Sequence, residues 1–181
     1  AIVTFVLSLR FEKNETAKPV TASVVSKPGV VCAPVSGEVV AMTDIPDETF
    51  ATGVLGEGVG INPAEGRVVA PFNGTISSVA DSHHAVGVTS PEGLEVLIHV
   101  GVDTVDMGGK GFTAKVKEGD VVVAGQELIS FDRKAIKAAG HPDIVVVLLT
   151  NAEDFEKLDI TPAGTVQTGA EIIRVPQVVS V

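Results

Sequence analysis

Residues 94–100 read Leu94-Glu95-Val96-Leu97-Ile98-His99-Val100, and this stretch decides the fold class. Side chains alternate between faces along a strand, so Glu95, Leu97 and His99 share one face while Val96, Ile98 and Val100 share the other. The all-aliphatic face is the core side, which turns His99 outward beside Leu97. Upstream, His83-His84 opens another apolar run, Ala85–Thr89, and Ser90–Gly93 supplies a loop between the two. If the two runs form a hairpin, His84 and His99 come close together.

From Val30 onward the chain keeps this style. Further short apolar runs at 30–33, 37–42, 58–62, 67–70, 74–79, 113–116, 127–131, 144–149, 165–167 and 171–175 are separated by Gly, Pro, Asn and Asp. Short runs at this density predict an all-β sandwich or barrel. One helix is predicted over 133–139, with Asp132 as its cap, Gly140 as its stop and Pro142 beyond. A second short helical turn is expected at Ala152–Leu158. Ala33-Pro34-Val35-Ser36-Gly37-Glu38-Val39 returns 37 residues on as Ala70-Pro71-Phe72-Asn73-Gly74-Thr75-Ile76. Val116-Lys117-Glu118-Gly119-Asp120 and Val123-Ala124-Gly125-Gln126 add the turn chemistry of a hammerhead-like β unit. So irregular a repeat predicts pseudo-symmetric sheets, not a solenoid.

The 181 residues suffice for one domain with a sizeable core plus a tail. Lys and Arg number 13 against 23 Asp and Glu, a formal charge of −10. That acidity argues against a nucleic-acid partner and fits a basic or apolar protein surface better. Cys32 is the only cysteine, which excludes an internal disulfide and points to a reducing compartment. Its setting in Val30-Val31-Cys32-Ala33 reads as a small buried residue, not a reactive thiol. Ala1–Leu9 is apolar but too short to span a bilayer, which takes about 20 residues. With Arg10, Lys13 and Lys18 behind it, residues 1–11 read as the end of a membrane span cut from a longer protein, or as a short core element. Residues 12–29 are polar with two prolines and read as a linker.

The histidines carry the chemistry. A neutral imidazole held on a strand has a free ring nitrogen and makes a good nucleophile. One of His84 and His99 can take a phosphoryl group while the other donates to its oxygens, and phosphoryl transfer asks little more than positioning and charge stabilisation. Ser82 offers a hydroxyl to the same network, and His83 reads as a solvated turn residue. Asp103 and Asp106 would repel phosphate. They suit orientation of an imidazole or pairing with a basic partner, and a solvated loop fits them equally. Gly56-Glu57-Gly58-Val59-Gly60 lacks the spacing of a dinucleotide fingerprint, and Gly108-Gly109-Lys110-Gly111 lacks the Ser or Thr of a P-loop. With no ATP motif, phosphate must arrive on another protein.

Val69-Ala70-Pro71-Phe72-Asn73-Gly74-Thr75-Ile76, Ser82-His83-His84-Ala85 and Val96-Leu97-Ile98-His99-Val100-Gly101-Val102-Asp103-Thr104-Val105 together resemble the glucose-type IIA domain of the bacterial phosphoenolpyruvate-dependent sugar phosphotransferase system. Ala33–Gly37, Ile45-Pro46-Asp47-Glu48-Thr49-Phe50 and Gly109–Phe112 extend the likeness, which runs from about Val30 to Val175. The resemblance implies a domain over 30–181 with an antiparallel β-sandwich of the duplicated hybrid-motif kind, Greek-key or jelly-roll-like, with one or two short helices. It implies that His99 is the phosphorylated histidine, His84 its helper and Ser82 the hydroxyl neighbour. It places Asp47 and Asp103 among the acidic positions ringing the site, beside Asp106 read above as a contact for a basic partner, and Phe50, Leu97 and Val105 on an apolar docking surface, with Leu97 where Phe is commoner. It further implies phospho-HPr as donor, a cysteine of a IIB domain as acceptor and association with a membrane IIC domain at the inner face of the cell membrane. Cys32 does not match the IIB cysteine.

Two rival classes fit less well. His99-Val100-Gly101-Val102-Asp103 has the H-x-x-x-D spacing of lysostaphin-like zinc peptidases, but no H-x-H pair accompanies it. Zinc held by His84 and His99 with a partner's carboxylate is compatible with the sequence, whereas an obligatory cofactor is not expected. A biotinyl or lipoyl carrier would need an exposed modified lysine on a hairpin tip, and no Met-Lys-Met or equivalent turn is present.

Overall fold

The unbroken aliphatic run Ile144–Leu149 lies at the centre of the architecture. A strand that is apolar at every position must be covered on both faces. The computed structural model describes residues 23–176 and shows how this is done. In chain order the strands begin with β1 (Val30–Cys32), β2 (Gly37–Ala41), β3 (Glu57–Pro63), β4 (Arg67–Val69), β5 (Gly74–Val79), β6 (Ala85–Thr89) and β7 (Glu95–Val100). They continue with β8 (Phe112–Ala114), β9 (Val121–Val122), β10 (Glu127–Phe131), β11 (Val145–Leu149), β12 (Asp159–Ile160), β13 (Gly164–Val166) and β14 (Glu171–Arg174). Two short helices, α1 (Glu48–Ala51) and α2 (Arg133–Ala138), interrupt them.

Eight strands form one antiparallel sheet in the order β13-β2-β3-β11-β7-β6-β5-β9. Two three-stranded sheets, β1-β14-β12 and β4-β10-β8, share its main core. Val145, Val147 and Leu149 of β11 and Val96, Ile98 and Val100 of β7 enter that core with Val31, Ile129, Leu128 and Ile173 from the small sheets. On the opposite face Val146 and Leu148 join Ile45, Phe50, Val102 and Ile144 in a second, smaller core. β11 is therefore dry on both sides. The all-β sandwich is as expected from the sequence, and each predicted run carries a strand, with ends moved by a residue or two. The two-residue strands β9 and β12 have too little sequence to show a period. Helix α1 is also unanticipated.

Local chemistry fixes both helices. Asp132 accepts from the Ala135 N–H at 3.0 Å to cap α2, as predicted. Asp47 does the same for α1 through the Phe50 N–H at 3.1 Å. The turn expected over Ala152–Leu158 is confined to one 3-10 turn, Ala152–Asp154.

The weak repeat is a true pseudo-symmetry. Ala33 N–H donates to Ala170 O at 2.7 Å and Ala33 O accepts from Gly169 N–H at 2.9 Å. Ala70 makes the same pair of bonds with Gln126 O, at 2.8 Å, and Gly125 N–H, at 2.9 Å. The two copies also bond each other, Val69 N–H to Pro34 O at 2.9 Å and Cys32 N–H to Pro71 O at 3.1 Å. The sequence repeat thus marks only half of each unit. The other half, Val122–Gln126 against Val166–Ala170, shares little but valine and glycine.

The expected membrane-span end at residues 1–11 and most of the expected linker lie outside the described residues. Ser23–Gly29, read as linker, is laid against the domain instead. Val24 packs where side chains on Gly125 and Gly169 would otherwise point, Ser26 Oγ accepts from Asn73 N–H at 3.0 Å, and Gly29 O accepts from Val175 N–H at 2.7 Å. Among the described residues no helix is long and apolar enough to cross a membrane.

Candidate functional site

The hairpin of β6 and β7 sets Ala85 directly opposite His99, and so brings His84 beside it. The two imidazoles meet edge to face with ring centroids 4.8 Å apart. The predicted juxtaposition is therefore present. It is less open than the strand pattern implies, because the small outer core grows up to it. Phe50 sets its ring edge against His99 at 5.0 Å between centroids, His99 is half-buried and His84 is 7% exposed.

A hydrogen bond defines the His99 tautomer. His99 Nδ1 lies 2.8 Å from Gly101 O. A carbonyl only accepts, so Nδ1 carries the ring proton and Nε2 keeps its lone pair. His84 Nδ1 lies 2.8 Å from Ser82 Oγ, which holds that ring in place; a hydroxyl both donates and accepts, so this bond admits either tautomer. Gly101 was not anticipated as a site residue, since a main-chain oxygen leaves no mark in residue identity. Of the readings open for Asp103 and Asp106, the hydrogen bond that orients His99 comes from Gly101 instead, and both aspartates are exposed.

Burial holds the His99 ring well below an ordinary imidazole, at about 4, and the neighbouring His84 pushes the same way. The Gly101 bond and the Asp47 and Asp103 carboxylates pull it back upward. Burial lowers His84 too. Both rings are neutral at pH 7, the state a nitrogen nucleophile needs. The His99 Cε1–H resonance is therefore expected to stay unshifted between pH 8 and 5, and a midpoint between 6 and 7 would contradict this. The linkage has a definite sign. As pH falls below the unfolded value of 6.5 the unfolded chain protonates first, so this ring destabilises the fold progressively down to about 4. The loss reaches about 3 kcal/mol at most.

The other expected site residues divide into two groups. Asp47 is half-buried at the α1 cap, where its carboxylate is engaged by Phe50 N–H. Asp103, Val105 (57% exposed) and Asp106 stand on the solvent side of the loop after β7, and Leu97 is half-buried on the His99 face. Phe50, expected on the docking surface, is instead 6% exposed and serves mainly as a wall for His99. The described residues contain only two non-glycine residues with left-handed backbone, His83 (φ 57°) and Asp103 (φ 57°), and both flank the imidazoles. Such backbone is uncommon and gathers at functional sites. No cluster of three or more His, Cys, Asp or Glu suited to a metal occurs among the described residues.

Known proteins place this arrangement in a family. Residues 29–155 match the family described as phosphoenolpyruvate-dependent sugar phosphotransferase system, EIIA 1. The glucose-specific EIIA component of Halalkalibacterium halodurans is 40% identical over 166 residues, covering 90% of this chain and 92% of that one. The beta-glucoside-specific EIIBCA component of Bacillus subtilis is 43% identical over 138 residues, 76% of this chain but 23% of that much longer protein. The chain likewise spans only 22% and 26% of two other beta-glucoside-specific EIIBCA components. The structure of glucose permease IIA from Mycoplasma capricolum superposes with a TM-score of 0.73 at 30% identity, over 82% of this chain and 96% of that one. The zinc-peptidase and biotinyl or lipoyl readings receive no support from these comparisons. The chain belongs to the EIIA 1 family of the phosphoenolpyruvate-dependent sugar phosphotransferase system, as a glucose-type IIA domain.

Proposed function

We propose that His99 Nε2 accepts the phosphoryl group from the phosphohistidine of HPr and passes it to a cysteine of a IIB domain. The observation that carries this reading is the neutral His99 ring, capped on Nδ1 by Gly101 O, with a second imidazole alongside. In the first step the Nε2 lone pair attacks phosphorus while the donor's P–N bond breaks and returns its electron pair to that ring. In the second, a thiolate attacks phosphorus and the pair of the P–Nε2 bond returns to His99. The Nδ1 proton stays on the Gly101 bond throughout. With Ser82 donating to His84 Nδ1, His84 carries its proton on Nε2 and can donate it to the phosphoryl oxygens.

The surroundings suit protein partners of the expected kind. Exposed Val105 and half-buried Leu97 offer apolar contact, and Asp47, Asp103 and Asp106 offer charge to basic side chains. Relatives named as EIIBCA components support IIB and IIC as partners, and this reading sets the domain at the cytoplasmic face of a membrane. The reading needs no obligatory cofactor. Zinc could join His84 and His99 only with further ligands from a partner.

Incubation with phosphoenolpyruvate, enzyme I and HPr is expected to give one acid-labile, alkali-stable phosphate per chain, located on His99 by tandem mass spectrometry. Phosphate on another residue, or none, would overturn the assignment. His84→Gln is expected to accept phosphate within a few-fold of wild type but to donate it to a IIB domain about 10²-fold more slowly. Undiminished donation by that variant would remove His84 from the mechanism.

A further inference from the structure

We propose that Asp143 and Arg133 are positioning residues for His99, acting through the peptide of Gly101; the inference rests on the role given to His99 above. Gly101 N–H donates to Ile144 O at 2.7 Å, and Val102 N–H donates to Pro142 O at 3.1 Å. The peptide group whose oxygen holds His99 Nδ1, Gly101 C=O–Val102 N–H, is thus hung from Pro142 O and the peptide before it from Ile144 O, two carbonyls that flank Asp143. Thr104, whose hydroxyl donates to Val100 O, packs close against Gly101.

Asp143 is 8% exposed although its chain neighbour Pro142 is exposed. Its Oδ2 accepts from Arg133 Nε at 2.8 Å, with Lys137 Nζ at 3.6 Å. Both cations stand on α2, so the charge pair ties the strap 142–144 to that helix. The helix is itself fixed at its start, where Asp132 N–H donates to Gly111 O at 2.8 Å. The same glycine turn passes near Ser82, whose backbone lies 3.8 Å from where a methyl on Gly109 would sit. The helix thus braces the strap that supports the Gly101 carbonyl holding His99. The main-chain bonds alone would fix the strap's direction. The buried carboxylate fixes its depth, because leaving it unpaired is costly.

The test uses Asp143→Asn and Arg133→Gln in the full chain, with Lys134→Met as a control that removes a charge from an exposed position of the same helix. The first readout needs no phosphate: the ¹⁵N shifts of His99 at pH 7. Wild type and Lys134→Met are expected to show one tautomer, protonated at Nδ1, and the other two variants a mixture. The second is the rate of acceptance from phospho-HPr, expected to fall about tenfold in kcat with KM changed less than about twofold. Arg133→Lys should recover part of both. A merely structural pair would lower thermal stability and leave the tautomer and kcat alone, and that result overturns the proposal. Should Asp143→Asn fail to fold, Arg133→Gln decides alone, since Arg133 is partly exposed. Wild-type label on a residue other than His99 would overturn the function proposed above, while the tautomer measurement still decides the positioning role.

Discussion

His99→Ala is expected to fold normally and to take up no phosphate from phospho-HPr, a loss of at least about 10⁴-fold. The fold survives because His99 lies on the outer face of β7, while Val96, Ile98 and Val100 of the same strand bury themselves in the main core. Activity goes because nothing nearby can replace the nucleophile. His84 is 7% exposed and is tied through Nδ1 to Ser82. His99→Gln, which refills most of the space against Phe50, should be equally inactive, separating loss of the ring nitrogen from loss of packing. Undiminished labelling of either variant would end the assignment of His99.

Gly101→Ala is expected to damage both stability and transfer. Gly101 has φ +79°, where an alanine pays about 1 kcal/mol or more in backbone strain alone. Its added methyl would lie 2.3 Å from Thr104 Cγ2 and 3.0 Å from Pro142 O. Overlap of this kind typically costs a further 1–3 kcal/mol or so, giving about 2–4 kcal/mol in all by urea unfolding. Relief must come from moving the Gly101 peptide, which carries the bond to His99. Acceptance should therefore fall about tenfold or more even where the variant is fully folded. A stable variant with wild-type transfer would show that the carbonyl bond is dispensable.

The legibility of this chain follows from where side chains, as opposed to main chain, do the work. β7 was readable because it has one aliphatic face on a large core and a mixed face opposite, so its alternation is clean. β11 gave no alternation; its unbroken aliphatic run demanded cover on both faces but could not say which residues supply it on the far side. That outer core depends on Phe50, which is brought in by a helix of four residues far from β7 in sequence. Asp47 three residues ahead was a capping signal for it. The imidazole pair was readable from two histidines flanking a hairpin loop. Its supports were not: Gly101 acts through a carbonyl, and Asp143 through a strap whose partners are assembled only by the fold. The repeat was half visible because its second halves need only a valine and a glycine at matching positions.

The way Ser23–Gly29 lies on the domain bears on kinetics. Any module attached upstream is tethered at Ser23 or earlier, not at Val30, because Val24 is seated between the Gly125 and Gly169 turns. Seven residues withdrawn from a tether shorten its greatest span by about 24 Å. A shorter leash confines the phosphohistidine to a smaller volume and raises its effective concentration at a partner within reach. Unseating Val24, as in Val24→Asp, would lengthen the leash and dilute the encounter without touching either imidazole.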